Sequence, residues 1–210
     1  MKYINKIGVE VETALASLNL SSVRYLKEVK NDGSIHCEEG YAKEVVSEAT
    51  DLRNIYEFLD SLKRYILVEQ VNESMGFHIH ISFNRHYYFI QIFSRDFINY
   101  FLDKLKKEFS NYYKLQRRFC NSYCGTYYSD SYFTKMYSSS RYKAVNIIKA
   151  YNRHRTVEFR IFNSSDVKTM KKYVSFTVRA INKYLDKNLK SMFSISETVI
   201  DDNIVEKLTI

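Results

Sequence analysis

The chain has 210 residues, a formal net charge of +8, 45% hydrophobic and 27% charged residues, no proline and five glycines. That balance excludes wholesale disorder and a fibrous chain, and the length allows one domain with a small appendage and a core that needs no staples. The positive field favours anionic partners such as nucleotides or nucleic acid.

In chain order, Lys2 to Glu12 alternates, with Ile7, Val9 and Val11 on one side and Gly8, Glu10 and Glu12 on the other, which predicts a strand. A second extended piece, Arg24 to Lys30, runs into the turn signal Asn31-Asp32-Gly33-Ser34, and Tyr41 to Ala49 is a third strand carrying Glu44. Leu52, Ile55, Leu59, Leu62 and Ile66 recur at helical spacing after a Thr50 cap. Gly76 to Phe83 alternates again, with Phe77, Ile79, Ile81 and Phe83 opposing His78, His80 and Ser82. Phe97, Phe101, Leu105, Phe109 and Tyr112 mark an amphipathic helix, and Tyr123 to Ser140 is a polar, Tyr- and Ser-rich loop of a length that suits a lid. Strands follow at Tyr142 to Ala150 and Arg155 to Phe162, then a helix from Val167 to Leu185 capped by Ser165 or Asp166. Residues 1–190 thus read as one domain and 191–210 as a C-terminal appendage. Strands with crossing helices give an α+β fold with a mixed or antiparallel sheet.

Cys37, Cys120 and Cys124 are too few and odd in number for a disulfide framework, and read as buried or idle thiols. The N-terminus carries no apolar signal region, and no apolar run reaches the roughly 18 residues of a membrane span. The expected compartment is the cytoplasm, with no membrane partner.

Polar groups two residues apart on a strand share a sheet face. Glu10/Glu12, His78/His80/Ser82 and Glu158/Arg160 each do so, as does Glu44 with Val46 and Glu48 at successive steps of two. One such strand is an ordinary solvated face. Four in one sheet would gather several carboxylates, two imidazoles and an arginine, and an acidic array repels itself unless cations sit among it. Carboxylate oxygen with one or two imidazoles suits Mg²⁺ or Mn²⁺, and such sites are completed by water and substrate phosphates. Arg160 beside Glu158 could brace a phosphoryl oxygen. Neither a P-loop nor a GxGxxG phosphate cradle is present.

The ordered set Gly8-Val9-Glu10-Val11-Glu12, Asp32-Gly33-Ser34, Lys43-Glu44-Val45-Val46-Ser47, Gly76-Phe77-His78-Ile79-His80-Ile81-Ser82, Arg141-Tyr142 with Val145-Asn146, and Thr156-Val157-Glu158-Phe159-Arg160 resembles the amidoligase family. That family is a branch of the carboxylate–amine ligases with the glutamine synthetase fold. The resemblance implies a curved, mainly antiparallel sheet, helices on its outer face, and an acidic inner face that binds ATP and divalent metals. By the same resemblance, Glu12 and Glu44 hold the metal nearer the acceptor, and Glu10, His78 and Glu158 the metal that bridges the nucleotide phosphates. His80 and Ser82 match positions near the nucleotide, Arg160 stabilises the transferred phosphoryl group with Arg141 as a second candidate, and Asp32 shapes the amine side. Asn146 matches the motif without a stated role. The implied reaction is ATP-dependent amide formation between a small-molecule or peptide carboxylate and an amine. Asn163-Ser164-Ser165 replaces the family's usual Gly-Thr-like turn, and Thr13 follows Glu12 where an aromatic residue is usual.

Three rival functions compete. A catalytically degenerate family member would keep the fold alone. A nucleic-acid module could use Arg117, Arg118, Lys135, Arg141, Lys143, Arg153 and Arg155 interleaved with Tyr112, Tyr113, Tyr123, Tyr127, Tyr128, Tyr132 and Tyr142. A hydrolase built on His78-Ile79-His80 lacks the further ligands that its classes need, and leaves Glu158/Arg160 unexplained.

Overall fold

The alternating N-terminal segment forms a strand that starts two residues after Lys2 and runs three past Glu12, β1 (Ile4–Leu15). The computed structural model describes residues 2–120, 124–128, 142–146 and 156–205, with the side chains of the last helix described to Leu189. The further elements are β2 (Leu26–Lys30), β3 (Tyr41–Ser47), α1 (Leu52–Leu62), β4 (Gly76–Phe83), α2 (His86–Ile92), α3 (Arg95–Glu108), α4 (Tyr113–Arg118), β5 (Val145–Asn146), β6 (Val157–Asn163) and α5 (Val167–Val205). The six strands form one open sheet in the order β2-β3-β1-β4-β6-β5, every neighbouring pair antiparallel. The α+β class expected from the sequence is the one observed.

One face of this sheet is apolar and covered. Ile7, Val9, Val11, Val45, Phe77, Ile79, Ile81, Val157 and Phe159 are all buried. They share one core with Ile55, Phe58 and Leu59 of α1, Phe97, Phe101 and Leu105 of α3, and Met170, Tyr173 and Ile181 of α5. Aromatic rings bind the layers: Phe101 lies 4.7 Å from Phe159 and 5.3 Å from Phe176, and Phe162 stacks on Tyr173 at 4.7 Å. With helices on one face, period-two alternation leaves the opposite face to polar side chains.

Several elements differ from their expected bounds. Asp51 rather than Thr50 caps α1, its carboxylate accepting Asn54 N–H at 2.9 Å, while Thr50 bridges to Ile7. The single helix expected over Phe97 to Tyr112 is α3, capped by Ser94, followed by the separate α4; α2 went unseen because its seven residues carry no readable period. Helix α5 passes its expected end at Leu185 and runs to Val205; the chain has no proline, and no glycine beyond Gly125, to interrupt it. Of the strand expected over Tyr142 to Ala150, Val145–Asn146 pairs with β6, and residues 147–150 lie outside the described part. The expected lid, 123–140, is described at 124–128 alone.

Asp166 caps α5, its carboxylate accepting Thr169 N–H at 3.0 Å and the Thr169 hydroxyl at 2.7 Å. Burial alone would raise its pKa, but these bonds outweigh that and hold it below the ordinary aspartate value of 3.8. A depressed carboxyl pKa contributes stability that is complete above the unfolded value and lost as pH falls through the folded one. Asp166→Ala should therefore cost about 1 kcal/mol near neutral pH, roughly 2–4 °C in Tm. That gap should close below pH 3.8. Thermal melts of the two proteins across pH check this; a gap that is constant with pH would rule out the carboxylate cap.

Candidate active site

The antiparallel register carries the acidic residues onto one face in cross-strand rows. Glu12 pairs with Glu44, Glu10 with His78, His80 with Glu158, and Glu158 with Asn146. Residues directly opposite in a ladder project to the same side, so β3, β1, β4, β6 and β5 all contribute to it. Lys30 of β2 pairs with Glu44 and completes the row. The β4–β6 register shifts between Phe77 and Ile79, because β6 carries one extra residue there. This bulge lets Phe159, Ile161 and Phe162 all stay buried, while Glu158 and Arg160 face the polar side.

Two groups of donors result. Glu10, His78 and Glu158 each offer an atom within 4.8 Å of the others, and so do Glu12, Asp32 and Glu44. In the first, His78 Nδ1 lies 3.2 Å from Glu10 Oε2 and 3.7 Å from Glu158 Oε1, and Glu158 is fully buried. Arg160 donates to Glu158 Oε1 at 2.7 Å and Asn146 to Oε2 at 2.9 Å. Asn146 thus orients a donor carboxylate, a role the motif alone did not give it. His80 Nε2 stands 3.2 Å from Glu10 Oε1, buried and without a well-directed hydrogen bond. Burial would raise the Glu10 pKa, yet the hydrogen bond with His78 and the His80 imidazole beside it hold its carboxyl well below the usual range.

In the second group Asp32 sits in its turn, accepting Ser34 N–H at 2.8 Å and the Ser34 hydroxyl at 2.6 Å. Its carboxylate stands with those of Glu12 and Glu44. Glu44 is pushed up, first by burial and then by the Glu10 charge, against the pull of Lys30 at 3.2 Å. The groups meet at Gly76, whose N–H donates to Glu12 Oε2. A Cβ there would lie 2.7 Å from His78 Nε2, 2.8 Å from Glu12 Oε2 and 3.1 Å from Arg118 Nη2. The donors close over a position that only glycine leaves open.

The residues fit hard divalent cations. Each group offers carboxylate oxygens, the first adds one imidazole, and no thiolate takes part. Together they line a cleft of about 510 Å³ with Lys30, Ser34, His36, Glu73, Ser74, Arg118, Tyr142 and Arg160, a volume within the roughly 300–1,000 Å³ of small-molecule sites.

The expected residues Glu10, Glu12, Asp32, Glu44, His78, Glu158 and Arg160 all line this cleft. His80 and Asn146 stand just behind its lining. Ser82 is farther along β4, its hydroxyl accepting Lys6 N–H at 3.1 Å. Arg141 lies outside the described residues, as do Lys135, Arg153, Arg155, Tyr123 and Tyr132 of the nucleic-acid alternative. Of the rest of that basic, Tyr-rich set, Arg118 and Tyr128 are buried, whereas Tyr113 and Tyr127 are exposed. Arg118 as a cleft residue was hidden in the sequence, since an Arg-Arg pair on a short basic helix signals only a solvated face. Cys124 is buried with its thiol pKa raised by burial, Cys37 is half-buried and Cys120 exposed, and none touches the cleft. No helix among the described residues is long and apolar enough to cross a membrane.

Comparison with the curated proteins gave no match, and comparison with the solved structures gave none. The family model described as "Putative amidoligase enzyme" matches residues 83–181, just under half of the chain. The matched stretch includes Asn146, Glu158 and Arg160, while the carboxylates of β1 and β3 and the histidines of β4 precede it. Over that stretch the chain is similar to the amidoligase family.

Proposed function

We propose that this protein is an ATP-dependent carboxylate–amine ligase that forms an amide bond through an acyl phosphate, on a glutamine synthetase-like catalytic domain. The observation that carries the proposal is the pair of donor groups, Glu10/His78/Glu158 and Glu12/Asp32/Glu44, meeting at Gly76 in one cleft. The family match supports ligase chemistry in general, and the antiparallel sheet with one acidic face supports the lineage. Residues 1–190 would be the catalytic domain, residues 191–210 an appendage, and the cytoplasm the compartment.

A carboxylate anion is a poor electrophile, so it must be activated before an amine can attack. In the first step a carboxylate oxygen of the acceptor attacks the γ-phosphorus of ATP, and the bond to the bridging oxygen breaks to release ADP. In the second the amine nitrogen attacks the acyl carbon, inorganic phosphate leaves, and the nitrogen loses a proton. Mg²⁺ or Mn²⁺ held by the two groups would supply charge neutralisation along the phosphates. The protein's own part is positional. Arg160, fixed by Glu158 at 2.7 Å, offers a preoriented cation to the transferred phosphoryl group. Asn146 holds Glu158 from behind, and Lys30 holds Glu44 at the other end of the row. Asp32, in the turn after β2, would help shape the side from which the amine enters.

The test needs neither organic substrate. Mg·ADP and Mg·ATP should raise the thermal midpoint of the wild type by a few degrees, following RT ln(1 + [L]/Kd), and chelator should remove the rise. Glu158→Gln should abolish it while leaving a folded protein. A folded wild type whose midpoint ignores both nucleotides would sink the proposal.

A further inference from the structure

Arg118 closes α4 and is 5% exposed, yet it lines the cleft. Its Nη2 donates to the Arg160 carbonyl at 2.9 Å, and its buried Nε has no hydrogen-bond partner. Among the described residues no carboxylate comes within ion-pair distance of it. Two carboxylates of the same cleft are engaged already: Glu12 Oε2 accepts the Gly76 N–H, and Glu158 is held by Arg160 and Asn146. A guanidinium taken from water with one neutral acceptor is costly unless an anion joins it. A purely structural arginine would be expected to carry a fuller set of partners.

We propose that Arg118 binds the carboxylate of the acceptor substrate in the cleft, beside the point where the two donor groups meet. The assignment of that anion as the acceptor rests on the ligase reading; the anion site itself rests on the geometry. Arg160 is committed to Glu158, on the side given to the nucleotide. Arg118 lies instead toward Glu12, its Nη2 3.1 Å from where a Cβ of Gly76 would stand and Glu12 Oε2 2.8 Å from the same point. Because α4 reaches the site from outside the sheet, the arginine is a specificity element separate from the carboxylate rows.

Acetate serves as the probe, with inorganic phosphate as the alternative anion and chloride at matched ionic strength as the baseline. Midpoints are measured for wild type, Arg118→Gln and Arg118→Lys, with and without Mg·ADP. Acetate should raise the wild-type midpoint above the chloride baseline, and the apparent affinity should fall roughly tenfold or more in Arg118→Gln and less in Arg118→Lys. The unliganded midpoint of Arg118→Gln should equal or exceed that of the wild type, since an uncompensated buried charge is gone; a structural tie would lower it. Should Arg118→Gln fail to fold, that prediction has failed, and Arg118→Lys still reads the anion response. Retention of the acetate response in the variants, its absence from the wild type, or loss of a phosphate response in its place would each overturn the proposal. An Arg118-dependent acetate response in a protein that ignores Mg·ADP would leave the anion site standing and remove the ligase reading.

Discussion

Gly76→Ala is expected to weaken divalent-cation binding roughly 10–100-fold while the protein still folds. The added Cβ would lie 2.7 Å from His78 Nε2 and 2.8 Å from Glu12 Oε2, closer than real contacts allow, so those groups must move. Both are the ends of side chains rather than backbone. The fold can therefore absorb the crowding for about 1–3 kcal/mol, the usual cost of overpacking. The donor sets cannot, because His78 belongs to one group, Glu12 to the other, and the Gly76 N–H orients Glu12. Manganese titration by electron paramagnetic resonance, beside a thermal melt, separates the two effects. Unchanged manganese affinity in a folded variant would mean that Glu12 and His78 are not cation donors.

Phe101→Ala should produce the largest loss of stability, about 3–5 kcal/mol, or roughly 6–20 °C in Tm. Phe101 is fully buried between sheet and helices, its ring against Phe159, Phe176 and Phe97 at 4.7, 5.3 and 5.9 Å. Truncation leaves a cavity that rigid aromatic neighbours fill poorly. The loss is a large part of the 5–15 kcal/mol typical of a whole domain. The site should suffer as well, since Phe159 stands between Glu158 and Arg160 on β6. Urea unfolding at constant slope reads the effect, and a loss below about 1 kcal/mol would mean that the cluster is not the centre of the core.

Period-two alternation made β1, β4 and β6 legible in the sequence, because a strand with one covered face must write its burial into every second residue. The same alternation placed Glu10, Glu12, His78 and Glu158 on polar faces, and the register then made those faces one. Sequence alone could not supply that register, which decides that Glu12 meets Glu44 and Glu10 meets His78. Arg118 stayed hidden because its role comes from where α4 docks, and nothing in its own segment records that. The helix divisions at α2, α3 and α4 were lost for a related reason, since short helices stabilised by tertiary packing need no strong local signal. Asp32 was recognised as a turn residue, but a turn signal is silent about where its carboxylate will point.

The two donor groups draw on very different lengths of chain. Glu12, Asp32 and Glu44 come from β1, β3 and the turn between β2 and β3, all within the first quarter of the sequence. Glu10 and His78 wait for Glu158, which arrives only when β6 pairs with β4 late in the chain. Closing the longer loop costs more chain entropy and depends on the most non-local pairing that the site contains. An N-terminal fragment emerging from the ribosome therefore carries one complete donor trio and two thirds of another. The pairing of β6 completes the second, so full occupancy by cations would report that the sheet has closed.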